Sequence, residues 1–106
     1  MTETKIYVGL NDSETLKQEH DTAKYVGILK TVCRNYEVAF SFSLQQGGYF
    51  HENGEYTQEN SLVITLIDTD RSLAEEIAKD LCAFFHQESV LVTETEIQAR
   101  YISESS

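Results

Sequence analysis

The chain has 106 residues, enough for one domain. It is 41% hydrophobic and 25% charged, with five glycines and no proline, which excludes collagen-like, linker-rich and disordered classes. No apolar run approaches the roughly 20 residues of a membrane span, and Met1–Ile6 has no basic stretch followed by an apolar one, so neither a membrane segment nor a signal peptide is expected. The formal net charge of −10 argues against direct binding to nucleic acid or anionic membrane, because phosphate neutralisation needs clustered Lys and Arg.

The first strand is expected over Lys5–Leu10, short, β-branched and aromatic. Asn11, Asp12 and Ser13 offer helix N-caps, and a long helix is predicted from about Glu14 to Tyr36. Its buried stripe is read as Leu16, Ala23, Val26, Leu29, Val32, Cys33 and Tyr36, at spacings that suit a 3.6-residue period.

Residues Glu37–Leu44 alternate, with Val38, Phe40, Phe42 and Leu44 pointing one way and Ala39, Ser41 and Ser43 the other, as in a half-buried strand. Gln45–Gly48 is read as a break or bulge, because paired glycines weaken a ladder. Asn53-Gly54 predicts a tight type I′ hairpin. The third strand returns through Tyr56 and Thr57 to Ser61–Ile67, apolar on both faces as expected of a central strand.

A second helix begins after Asp68-Thr69-Asp70, capped by Asp70 or by a Ser72/Glu75 capping box. Leu73, Ala74, Ile77, Ala78, Leu81, Phe84 and Phe85 form its apolar face, to about His86. The last strand is Ser89–Thr93. Ile97, Ala99 and Tyr101 continue the pattern with opposite parity, which predicts a bulge or bend near Glu94–Glu96.

The order β-α-β-β-α-β specifies an α+β, ferredoxin-like βαββαβ sandwich spanning 1–106 as a single domain. A four-stranded antiparallel sheet has two helices on one face, with strands 1 and 3 central. Phe40, Phe42, Ile64, Ile77, Leu81 and Phe84 are the predicted core. The sheet's other face then carries strand-3 aliphatics that one subunit leaves wet, and a contiguous apolar face of this kind marks an interface. A homo-oligomer, dimer or trimer, is therefore expected.

The acidity is uneven. Residues 1–46 hold six acids and five bases, whereas residues 47–106 hold twelve acids and three bases. The hairpin concentrates His51, Glu52, Glu55 and Glu59 beside Tyr49, and these five are the candidate ligand- or partner-binding residues. Carboxylates with an imidazole suit divalent metals, but this spacing matches no known cage, so no metal and no cofactor are assigned. Gln45–Tyr49 has backbone amides but is not a G-x-G-x-x-G fingerprint. His20 and His86 are placed on helices with no nucleophile beside them, and Ser41 and Ser43 lack a G-x-S-x-G context. No nucleophile, base and orienter come together, so no catalytic residue is assigned and a non-enzyme is expected. Cys33 and Cys82 read as reduced thiols of a cytoplasmic protein.

The segment Gly48–Ile64 resembles the long hairpin of the CutA and nitrogen-regulatory PII-like superfamily, in which an aromatic residue, a turn glycine and a glutamate precede an apolar strand. Tyr49, Gly54, Glu59 and Ser61 are also similar to a pattern in small uncharacterised bacterial, phage and mobile-element proteins. The resemblance implies a ferredoxin-like subunit, a trimer and a binding or regulatory role, with a small ligand or protein partner held near residues 45–60. The alternative is an acidic phage or mobile-element protein that inhibits a nucleic-acid-binding target by placing carboxylates where phosphates would sit. A small enzyme on a dimeric α+β barrel is the third reading, set behind the others for want of an acid–base pair.

Overall fold

The computed structural model describes residues 1–105. Its elements are β1 (Thr2–Gly9), α1 (Thr22–Asn35), β2 (Ser41–Phe50), β3 (Tyr56–Ile67), α2 (Arg71–Phe84) and β4 (Leu91–Glu96). The four strands form one antiparallel sheet in the order β2-β3-β1-β4, so the expected ferredoxin-like architecture holds, with β1 and β3 central. Among the described residues, no helix is long and apolar enough to cross a membrane.

Period-two alternation decides which face is covered. Thr4, Ile6 and Val8 of β1 pair with Leu66, Ile64 and Leu62 of β3, and all six are buried. They meet Tyr25, Leu29, Val32 and Cys33 of α1 and Ala74, Ile77, Ala78 and Leu81 of α2. The opposite face of the sheet carries Lys5, Tyr7, Gly9, Val63, Thr65 and Ile67.

Both helices have 14 residues and both end the same way. After α1, Glu37 N–H donates to Arg34 O and Val38 N–H to Cys33 O. After α2, His86 N–H donates to Ala83 O and Gln87 N–H to Cys82 O. Each is a Schellman arrangement, with Glu37 (φ 55°) and His86 (φ 53°) in the left-handed position that glycine usually takes. The Tyr36 hydroxyl donates to Asp80 Oδ2 at 2.6 Å and ties the end of α1 to α2.

Several local expectations are corrected. The first helix starts at Thr22, not Glu14. Residues 17–22 are six consecutive polar residues, which leaves a helix there no apolar face to bury. Asp12 caps a tight turn instead, and Leu16 and Ala23, placed in the buried stripe, are exposed. Phe84 is exposed and Phe85 takes its place in the core, edge-on to Tyr25 at 5.1 Å between ring centres. Phe42 is 37% exposed because β2 is an edge strand that runs past the helices, whereas Phe40 packs partly against the core.

Gln45–Gly48 neither breaks nor bulges, since its pairing with Ser61–Gln58 is continuous. The Tyr56 ring lies over Gly48, where any Cβ would collide with it, so an aromatic covers the glycine gap in the ladder. The turn is a five-residue loop, His51–Glu55, and not type I′. Only Gly54 has positive φ (89°), Gly54 N–H donates to His51 O, and Asn53 Oδ1 accepts from Glu55 N–H. No bulge interrupts Glu94–Glu96, because β4 stays in register with β1 to Glu96 before the chain leaves the sheet.

Candidate active site

The open face of the sheet leads to the carboxyl end of β1, and the site is built there. Glu59 lies on β3 two residues before Ser61, the partner of Gly9, so its side chain reaches diagonally across the end of β1. Its Oε2 accepts the N–H of Asn11 at 3.1 Å. A Cβ on Gly9 would fall 2.6 Å from that same oxygen, so only glycine leaves room for the carboxylate there. Tyr49 stands diagonally opposite Glu59 on β2, because Gly47 is paired with Glu59 and Tyr49 with Thr57.

Two loops complete the enclosure. Residues 10–21 run from β1 to α1. Asp12 Oδ1 accepts the N–H groups of Glu14 (2.8 Å) and Thr15 (3.2 Å), Leu16 N–H donates to Asp12 O, and Asp12 N–H to Lys17 O. The two side-chain bonds are made to the ionised form and hold the Asp12 carboxyl below its usual range. The loop after α2 is tied to this one by Gln87 Nε2 donating to Asn11 O at 2.6 Å and by Ser13 N–H donating to His86 O at 2.9 Å. His86 Nδ1 lies 3.8 Å from Asp12 Oδ2.

Between these parts lies a cavity of about 410 Å³, lined by Asn11, Asp12, Ser13, Leu16, Tyr49 and Glu59 with Gln87, Glu88 and Ser89. Three carboxylates and no Lys or Arg line it, so it suits a cationic ligand. A larger hollow between α1 and α2, about 560 Å³, is mainly apolar and carries no carboxylate.

Of the five residues named from the sequence, Tyr49 and Glu59 meet at this cavity. His51 stacks edge-on to Tyr49 at 5.1 Å and pairs through Nε2 with Thr57 Oγ1 at 2.6 Å, outside the cavity lining. Glu52 and Glu55 are exposed at the loop tip. Among the described residues, no group of three or more His, Cys, Asp or Glu side chains is arranged to hold a metal. Both His20 and His86 lie outside the helices on which they were expected. Sequence reasoning missed Asp12, Leu16 and Glu88. The polar run 17–22 is the signal that could have released residues 14–16 from the helix and residues 11–13 from its cap.

No family model matches the chain, and no curated protein does. Solved structures do. A phage SAM lyase in complex with S-methyl-5'-thioadenosine is 26% identical, with a TM-score of 0.68 over 90% of this chain and 80% of that one. A phage SAM lyase in the apo state is 25% identical, with a TM-score of 0.69 over 96% and 92%. Pyrococcus horikoshii CutA (14% identity, TM-score 0.54, 92% and 87%) and Bacillus subtilis GlnK with ATP (16%, 0.53, 89% and 82%) share the fold. These likenesses show the ferredoxin-like fold that the chain shares with CutA and GlnK.

The lyase likeness overturns the expectation of a non-enzyme and points to an enzyme. The physical reason for the miss is that the cavity draws on three segments far apart in sequence, and its carboxylates and phenol form no nucleophile–base pair with a recognisable spacing.

Proposed function

We propose that this protein is a lyase that releases S-methyl-5'-thioadenosine from S-adenosylmethionine at the Asp12–Tyr49–Glu59 cavity. The observation that carries this reading is the 25–26% identity to phage SAM lyases along nearly the whole chain. The cavity supports it chemically. S-adenosylmethionine carries a sulfonium and an ammonium, which the carboxylates of Asp12, Glu59 and Glu88 attract, and Tyr49 supplies an aromatic contact for the adenosyl group. The expected ligand site near the 45–60 hairpin is thus kept, with turnover added.

Release of the thioether breaks the bond between sulfur and the γ-carbon of the amino-acid chain, and sulfur keeps the electron pair. The substrate's own carboxylate can supply the new bond to that carbon and close a five-membered lactone. That route consumes no water and needs no nucleophile or base from the protein. The protein's task is then to attract the cation and hold the chain in the cyclising conformation, which is catalysis by positioning. A site of this kind would show no nucleophile, base and orienter in the sequence.

The same face supports self-association. Ile67 is 37% exposed and Leu91 60% on the open sheet face, and Tyr101 and Ile102 of the tail are almost bare. A second copy covering this face would also close the cavity from its open side. The acidic-inhibitor alternative rests on net charge and on no arrangement of side chains.

The test is incubation of the purified protein with S-adenosylmethionine and chromatography of the products. S-methyl-5'-thioadenosine should appear in a one-to-one ratio to substrate lost. Glu59→Gln should slow turnover by about 10² or more, the scale of losing one preorganised electrostatic group. Gly9→Ala, which displaces only the Glu59 carboxylate, should also slow it. Binding of S-adenosylmethionine with no product would sink the lyase reading. Light scattering should give a multiple of the chain's mass, and a monomer at every concentration would remove the assembly.

A further inference from the structure

Leu16 combines three properties that folding does not reward. It is 61% exposed, so its side chain adds little to the core. Its φ is 62°, a left-handed conformation that a Cβ makes costly and that Gly or Asn adopts more readily. It is also held there firmly. Its own N–H donates to Asp12 O at 2.8 Å, Asp12 N–H donates to Lys17 O at 2.9 Å, and a bridge between Asn11 and Gln18 closes the loop around it. The other non-glycine residues with positive φ, Glu37, Asp68 and His86, are polar and follow the end of a helix or strand, where a left-handed residue terminates the element. Among the described residues, Leu16 is the only aliphatic one, and it is the aliphatic side chain in the lining of the cavity.

A strained, well-tethered residue with no burial of its own is a feature of sites where the surroundings hold a contact ready for something else. We propose that Leu16 is a specificity-determining residue. It supplies the apolar contact for the uncharged methylthioadenosyl part of the ligand, and the carboxylates of Asp12, Glu59 and Glu88 face the cationic part. This rests on the lyase reading. It adds that substrate and thioether product share one apolar subsite, and that the ammonium and sulfonium are recognised separately from it.

The side chain and the strain can be removed together. In Leu16→Gly and Leu16→Asn the left-handed backbone is kept at lower cost, so the melting temperature should be unchanged or higher. Affinity for S-methyl-5'-thioadenosine, measured by calorimetry, should fall by about tenfold or more, the scale of losing one buried leucine contact. KM for S-adenosylmethionine should rise in proportion with kcat little changed, because the methylthioadenosyl group is present in both ground and transition states.

Equal affinity of wild type and both variants would overturn the proposal, as would a clear drop in melting temperature, which would make Leu16 a folding residue. A lower mass by light scattering in the variants would also overturn it, by making Leu16 an interface residue. Wild type that binds no S-methyl-5'-thioadenosine would bring down the site reading and this inference with it. Wild type that turns over substrate beside variants that bind equally well would remove the Leu16 assignment alone.

Discussion

The two halves of this fold, β1-α1-β2 and β3-α2-β4, do the same job with different connections. Each helix has 14 residues, and each ends in a Schellman arrangement on a non-glycine left-handed residue. The turn from strand to helix differs. In the second half three residues, 68–70, suffice; in the first there are twelve, 10–21. The second half shows what packing requires, so the additional residues of the first serve something other than packing. They carry Asn11, Asp12 and Leu16 to the cavity. The halves also differ in exposure, because every residue of β2 is exposed whereas β3 is buried over Leu62–Ile64 and at Leu66.

The largest effects should confirm that the helices are equivalent. Leu29 of α1 and Leu81 of α2 are both 0% exposed. Leu29→Ala and Leu81→Ala should each cost about 2–5 kcal/mol in chemical denaturation, and a loss below about 1 kcal/mol at only one of them would break the symmetry. Phe42→Ala on the edge strand should cost less than either.

The two strand-to-helix turns should then separate. Asp12→Ala removes two side-chain bonds to backbone amides and should lower the melting temperature, as loss of a cap does. Asp70, at the N-cap of α2, makes no side-chain cap bond, so Asp70→Ala should cost little. The Asp12 effect has a pH signature. A carboxyl with a depressed folded pKa stabilises above its unfolded value, near pH 4, and loses that contribution as pH falls through the folded value. The difference in melting temperature between wild type and Asp12→Ala should therefore shrink between pH 6 and pH 3. A difference that does not change with pH would mean the loop is not held by the ionised form.

A comparable effect of opposite sign is expected at Thr4. Its side chain is 1% exposed with no partner for Oγ1, whereas its β3 neighbour Leu66 is wholly apolar. Thr4→Val should raise stability by about 1 kcal/mol. An unchanged or lower stability would show that the hydroxyl is satisfied in solution.

The smallest contrast is chemical. Cys33 of α1 is buried, and desolvation pushes its thiol up to about 11. Cys82 of α2 is only partly buried, with its thiol donating to Gln87 O at 3.1 Å. A thiol reagent at neutral pH should modify Cys82 first and reach Cys33 only on unfolding. Equal rates for the two thiols under native conditions would contradict this burial.

Order and type of elements were determined by the sequence alone, because they rest on short-range periodicity. The double-sided apolar run Ser61–Ile67 marked a central strand, and Leu29-Val32-Cys33 and Ile77-Ala78-Leu81 marked two helix faces. Tyr49 and Glu59 were visible as chemistry near a hairpin for the same local reason. Tertiary structure decided the rest. The 11–16 segment has cap-like residues, but residues 17–22 offer no apolar face, so its turn is stabilised by contacts to β3 and to the loop after α2 that lie 47 to 76 residues away. Gly9 has the look of any strand glycine in the sequence, yet the Glu59 carboxylate lies where its Cβ would sit. Phe84 and Phe85 are adjacent and equally apolar, and only the direction in which the chain leaves α2 sends Phe85 inward. Likewise the cavity exists because antiparallel pairing brings residues 9, 49 and 59 into diagonal contact. Periodicity constrains which face a side chain takes, but which distant side chain it meets is set by register and by loops held through long-range hydrogen bonds.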